Sequence, residues 1–139
     1  ARIEQALEAA LEEAVSAPCP PRLAAAMQHA VFPGGARLRP RLVMAVAWAC
    51  GDEEPWITDA VAAGVEFLHC ASLVHDDLPC FDDAEERRGK PSVHRAFGEP
   101  VAVLAGDALI VLAFETLAAS AETRPSRIGP IVRTVARCV

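Results

Sequence analysis

The chain has 139 residues, 53% of them hydrophobic and 23% charged, a balance that demands a packed core and excludes a disordered segment. Lys and Arg number 13 against 19 Asp and Glu, for a net charge of -6, so the composition offers no basic surface to nucleic acid. The opening residues mix glutamate with alanine in place of the basic start and apolar centre of a secretion signal.

The longest apolar stretch, residues 101–114, is interrupted by Asp107 and falls short of the roughly 20 residues that cross a bilayer, so no membrane span is expected. Five cysteines, Cys19, Cys50, Cys70, Cys80 and Cys138, contain no Cys-x-x-Cys pair and are odd in number. They read as reduced core thiols of a cytoplasmic protein. Ala1 opens the chain and Val139 closes it inside a patterned segment, so both ends are expected to be cut from a longer protein.

Apolar residues recur every three or four positions and no segment alternates as strands do, so the chain reads as all-α. Ile3, Leu7, Ala10, Leu11 and Ala14 form one stripe of a first helix. Pro18, Pro20 and Pro21 separate it from a second over residues 22–31. Pro33, Gly34 and Gly35 break the chain again before a third over 39–50, which Gly51 stops. Pro55 opens a long fourth helix that runs to residue 75. Residues 76–100, rich in aspartate, glutamate, proline and glycine, make the one long polar connection. A fifth helix spans 101–119, and Ser126 caps a sixth that is still running at Cys138.

Chemistry concentrates in that connection. Asp76 and Asp77 end an apolar helix, and Asp82 and Asp83 follow a bend at Pro79. Four gathered carboxylates repel one another unless a cation joins them, and too few oxygens are present to enclose calcium, so magnesium carrying waters and phosphate oxygens fits better. A solvated acidic loop, with Asp77 or Asp83 capping a short turn, fits the same residues. Arg87, Arg88 and Lys90 follow at once, then His94 and Arg95. Guanidinium forks beside metal-holding carboxylates suit a metal-diphosphate site; self-neutralising surface ion pairs are the other reading.

On the fourth helix His69 and Asp76 are two turns apart and differ by only about 20° in azimuth, with Ser72 and Leu68 beside that line. One face therefore carries a carboxylate at its lip and an imidazole below, unless His69 is a satisfied core residue. Arg37 and Arg39 stand at the start of the third helix, where cations oppose the helix dipole unless an anion joins them. Glycines at 34 and 35 leave backbone amides open to such an anion. A glycine turn whose arginines bind neighbouring carboxylates is the alternative.

In order and spacing, Gly34 to Pro40, His69, Asp76 to Asp83, Arg87 to Pro91 and Gly106 to Leu109 resemble the trans-isoprenyl diphosphate synthases, most of all the bacterial geranylgeranyl type. The resemblance implies an antiparallel helical bundle around a deep central cavity, of which this chain is an N-terminal portion, and a homodimer. It implies that Asp76, Asp77 and Asp82, with Asp83 assisting, hold Mg2+ against the diphosphate of an allylic substrate that Arg87 also clamps. Arg39, His69 and Arg88 would bind the diphosphate of isopentenyl diphosphate.

The implied reaction is ionisation of the allylic diphosphate, attack by the double bond of isopentenyl diphosphate and loss of a proton. Small residues at Ala71 and Ser72 leave the pocket open below the acidic motif, which favours geranylgeranyl over farnesyl diphosphate as product. Asp107 takes a structural role, hydrogen-bonded among the helices.

Two positions depart from the family pattern. Ala36 stands where a lysine is usual, with Arg37 as the candidate substitute. A second aspartate-rich motif does not occur within these residues, so the 139-residue chain alone is expected to be inactive. The competing functions are a non-catalytic partner subunit of a prenyl synthase, a terpene cyclase, and a helical interaction domain with an incidental acidic loop. Two separate basic clusters argue against a cyclase, which has only one diphosphate to hold.

Overall fold

The computed structural model describes residues 2–16, 18–122 and 124–138; Ala1 and Val139 lie outside them. Seven helices and one small hairpin follow in order: α1 (Arg2–Ser16), α2 (Pro21–Val31), α3 (Leu38–Ala49), α4 (Pro55–Asp76), β1 (Glu86–Arg87), β2 (Lys90–Pro91), α5 (Val93–Phe97), α6 (Glu99–Ser120) and α7 (Pro125–Cys138). The fold is all-α, as the periodicity predicts.

The long helices α4 and α6 form the centre. They run antiparallel: Gly64 in the middle of α4 meets Ala113 and Leu117 late in α6, while His75 at the end of α4 rests on Gly106 earlier in α6. Small residues set this close approach. A Cβ on Gly64 would stand 3.3 Å from the Ala113 carbonyl, and one on Gly106 would clash with the His75 ring at 2.2 Å. The stripe of α1 buries Leu7 and Leu11, and α2 buries Ala26, Met27 and Val31, against Phe67, Ala105, Leu109 and Leu117 of the central pair. Burial of each such leucine or phenylalanine contributes about 1.5–3 kcal/mol.

Four expectations change. Residues 76–100 are not one irregular loop, since they fold the β1–β2 hairpin and the single-turn α5. The helix α7 starts on Pro125, one residue before the expected Ser126 cap. Cysteines are not uniformly core residues: all five are free thiols, but only Cys70 is buried, while Cys50, Cys80 and Cys138 are exposed. Finally, α4 and α6 have 22 residues each and mean hydropathies of 1.4 and 2.0 over their most apolar stretch, so by length and composition both could cross a membrane. The sequence argument measured only the apolar stretch to Phe114, whereas the helix, expected over 101–119, runs from Glu99 through Glu115 and Thr116 to Ser120.

Candidate active site

The turn before α3 is organised by one buried arginine. Arg37 has left-handed backbone angles (φ 50°, ψ 40°) and precedes the first turn of α3. Its side chain folds back over Gly34, where a Cβ would lie 2.0 Å from the guanidinium carbon, so the position accepts only glycine in this arrangement. The guanidinium donates to both carboxylate oxygens of Glu4 at 2.8 and 3.1 Å, to Glu66 at 2.7 Å and to the Val31 carbonyl at 3.0 Å. Burial alone would depress the Arg37 pKa, but the bonds from Glu4 and Glu66 outweigh it and the net shift is upward; Glu4 is held down by the same contact.

Arg37 therefore cannot stand in for the lysine that Ala36 replaces, because its donors are spent inside the protein. The carboxylate-bound alternative describes this residue. Arg39, two positions on, is exposed and forms no ion pair among the described residues.

The second basic stretch is a two-residue hairpin. Glu86 pairs with Pro91 and Arg87 with Lys90, which leaves Arg88 and Gly89 at the tip with φ of 56° and 76°. Positive φ at both central residues is the type I′ pattern, whose twist matches that of the strands. Lys90 anchors the hairpin by donating to the His29 and Phe32 carbonyls at the end of α2, where a cation also meets the negative end of the helix dipole. Burial, and then Arg88, lower its pKa.

The anchor sets Arg88 against the first turn: a Cβ on Gly35 would be 3.1 Å from Arg88 Nε. Two basic stretches about 50 residues apart in sequence thus meet through the absence of one methyl group.

His69 lies where they converge. Its pKa is lowered by burial, then by the nearby charge of Arg39, with Arg88 and Arg87 adding to the effect and Glu66 opposing it. The imidazole is therefore neutral at pH 7 and can donate one hydrogen bond. It faces a hollow of about 500 Å³ that Arg39, Val61, Val65, Leu68, Ser72 and Val135 also line.

The acidic turn follows the C-terminal end of α4, two turns beyond His69. Backbone bonds from Leu78 N–H to the His75 carbonyl, Phe81 to Leu78 and Asp82 to Asp76 (3.1, 2.9 and 2.9 Å) wind the chain back on itself, and so bring Asp82 beside Asp76. Both of these residues are exposed, and among the described residues neither carboxylate has an ion pair or hydrogen bond. Asp77 differs: it is 2% exposed and Arg87 grips both of its oxygens, with Nε at 3.2 Å from each and a second contact from Nη2. That bond is the main reason the Arg87 pKa is raised. Asp83, left-handed at φ 45°, bonds Arg95 at 3.1 Å.

Among the described residues no three carboxylate, imidazole or thiol groups converge as a closed metal cage. Magnesium does not require one, because it keeps several waters and is usually held by one or two carboxylates together with substrate phosphates. Asp76 and Asp82, adjacent and uncommitted, fit that use. Asp77 and Asp83 already have cationic partners in this structure.

Of the remaining expected residues, Ser72 lines the hollow, whereas Ala71 is 1% exposed within the core cluster. Asp107 does not lie hydrogen-bonded among the helices: its side chain is 61% exposed and its nearest polar partner is His75 Nε2 at 3.5 Å. The α6 face carrying it, with exposed Val103 and Val111, is uncovered among the described residues. Glu4 and Glu66 were absent from the sequence-based site. A lone carboxylate within the apolar run 61–68 was the signal for Glu66, since such a group is buried only with a partner.

The chain belongs to the polyprenyl synthetase family, whose model matches residues 20–137. It is 56% identical over 135 residues to a geranylgeranyl diphosphate synthase of Cereibacter sphaeroides, covering 97% of this chain and 47% of that protein. A geranylgeranyl diphosphate synthase of Rhodobacter capsulatus is 56% identical over 126 residues, 91% of this chain and 44% of the relative. The crystal structure of an FPP/GFPP synthase from Zymomonas mobilis superposes with a TM-score of 0.83 at 39% identity, covering 96% of this chain and 50% of that one. The chain thus spans about half the length of the relatives it matches.

Proposed function

We propose that the chain supplies the N-terminal part of a single prenyl synthase catalytic domain, in an enzyme that condenses an allylic diphosphate with isopentenyl diphosphate. The named synthases above support the reaction class. The observation that carries it is the convergence of Arg39, His69 and Arg88, from three separate elements, while Asp76 and Asp82 stand uncommitted two turns further on, at the C-terminal end of the same helix.

Arg39 and Arg88 give the diphosphate of isopentenyl diphosphate two charged forks, and the neutral His69 adds a directional donor. Asp76 and Asp82 would hold magnesium against the allylic diphosphate. When bound, the ion stabilises charge building on the departing diphosphate. Asp77 keeps Arg87 extended over that turn, and a ligand oxygen able to compete with Asp77 would take over part of the guanidinium. Val61, Val65 and Leu68 make the hollow apolar, which keeps water from an allylic cation.

Ser72 faces that hollow with a small side chain, which supports a geranylgeranyl rather than a farnesyl product. Ser72→Phe is expected to shorten the product, and Ala71→Phe to do so with loss of stability, because it overpacks a buried site.

The enzyme acts in the cytoplasm as a homodimer, with α4 and α6 as core helices rather than membrane spans; the uncovered apolar residues Leu38, Leu42 and Val46 of α3 and Val103, Leu104 and Val111 of α6 support further packing partners. The 139 residues alone do not turn over. The test is a radiolabelled condensation assay with the parent enzyme, Mg2+, isopentenyl diphosphate and each allylic diphosphate, with products resolved by chain length. No elongated product from any allylic substrate would overturn the reading.

A further inference from the structure

His94 is the one described residue with a buried side-chain polar atom, Nε2, that lacks a hydrogen-bond partner. Burial leaves its side chain 3% exposed, and an orphaned buried donor costs about 1–3 kcal/mol, so such an atom calls for an explanation. The nearest candidate acceptor is a carboxylate oxygen of Asp83, 3.6 Å away, just beyond a hydrogen bond.

Four further observations point to the same pair. Ser92 precedes the first turn of α5, the position where serine normally caps a helix, yet it makes no capping bond. Its hydroxyl lies 3.0 Å from His94 Nδ1 instead. A hydroxyl proton donated to Nδ1 puts the ring proton on Nε2, facing Asp83. Arg95, the next residue, donates to the same Asp83 oxygen at 3.1 Å. Asp83 itself is held at φ 45°, a conformation uncommon outside glycine, directly after Asp82. The Ser92 N–H bonds the Glu85 carbonyl at 2.9 Å, which fixes α5 to the chain leaving the acidic turn.

We propose that His94 is a positioning residue: its Nε2–H closes on Asp83 when the acidic turn takes up a divalent cation and diphosphate, and thereby holds Asp82 in its binding position. Asp83 is the anchor in this arrangement, and Asp76 and Asp82 bind the ion. The inference rests on the metal-diphosphate part of the proposed function and not on prenyl transfer. Ser92 sets the tautomer, His94 supplies the donor, and Arg95 keeps the acceptor in place. None of the three touches the substrate.

The test measures Mn2+ binding to the full chain by electron paramagnetic resonance, with inorganic diphosphate present. His94→Phe keeps the ring volume and removes the donor; it is expected to weaken Mn2+ binding about tenfold, the low end for a residue supporting a metal ligand. His94→Gln, which restores an N–H at similar reach, should recover most of the loss. Asp83→Ala should match His94→Phe, and the double variant should be no worse than either, because both break one contact.

Unchanged Mn2+ affinity in His94→Phe, or losses that add in the double variant, would overturn the proposal. Should His94→Phe not fold, the imidazole 15N spectrum of the native chain decides: a proton on Nε2 that Asp83→Ala perturbs supports the latch, and a proton on Nδ1 overturns it. A parent enzyme without prenyl transfer, but with the His94→Phe difference intact, refutes the proposed reaction and still supports the latch.

Discussion

The turn at Gly34 to Pro40 and the hairpin at Arg87 to Lys90 each carry two nearby arginines, and each divides them the same way. In the first, Arg37 is folded inward onto Glu4 and Glu66 while Arg39 remains exposed. In the second, Arg87 is tied to Asp77 while Arg88 projects over Gly35. The inward arginine of each pair is held by carboxylates, and the other forms no ion pair among the described residues. They differ in depth: Arg37 has 6% of its side chain exposed against 38% for Arg87. The first pairing is therefore enclosed around its arginine, whereas the second leaves its arginine partly open to solvent.

The largest expected effect lies at the deeper pair. Arg37→Ala leaves Glu66 buried without a cation and should destabilise the protein by about 3–5 kcal/mol, measured as a lower urea midpoint. An unchanged midpoint would break the contrast in depth.

The outward arginines should behave oppositely. Arg39→Ala is expected to leave stability within about 0.5 kcal/mol while weakening inorganic diphosphate at least tenfold or so in calorimetric titration, as loss of a charged hydrogen bond requires. Arg88→Asn sharpens this further: asparagine suits the type I′ tip, so stability should rise by up to about 1 kcal/mol as diphosphate binding falls. A change of the same sign in both quantities would refute the division of labour.

A smaller effect is expected from pH. His69 has a folded pKa below its ordinary value near 6.5, through burial and then Arg39. A depressed folded pKa contributes stability present above the unfolded value and lost as pH falls through the folded one. Melting temperature should therefore fall on acidification below about pH 6.5, and His69→Asn should flatten that slope. Least of all, Gly35→Ala adds a methyl 3.1 Å from Arg88 Nε; a shift of a few tenths of an ångström should weaken diphosphate roughly twofold and leave folding intact.

The helices were legible because burial imposes a period of about 3.6 on apolar residues, and α1 to α4 follow it within a few positions. The hairpin and α5 were not, since strands of two residues and a helix of five have no period to read. The acidic and basic motifs announced a charged site, but not which members would neutralise one another. The partners of Arg37 lie 33 and 29 residues away, and only packing α1 and α4 around the turn brings them together. Ala71 and Ser72, adjacent in sequence, separate into core and hollow because one residue is a 100° rotation on a helix.

The type I′ tip has a consequence for how this stretch can vary. Its backbone handedness, together with the close approach to Gly35, aims the guanidinium of Arg88, so the aim depends on loop length. One inserted residue would convert the two-residue link into a longer turn of different twist and carry the charge off its line, even with every original side chain retained. Variation here is confined to exchanges of residue type; additions or deletions would displace Arg88 before they disturbed the fold.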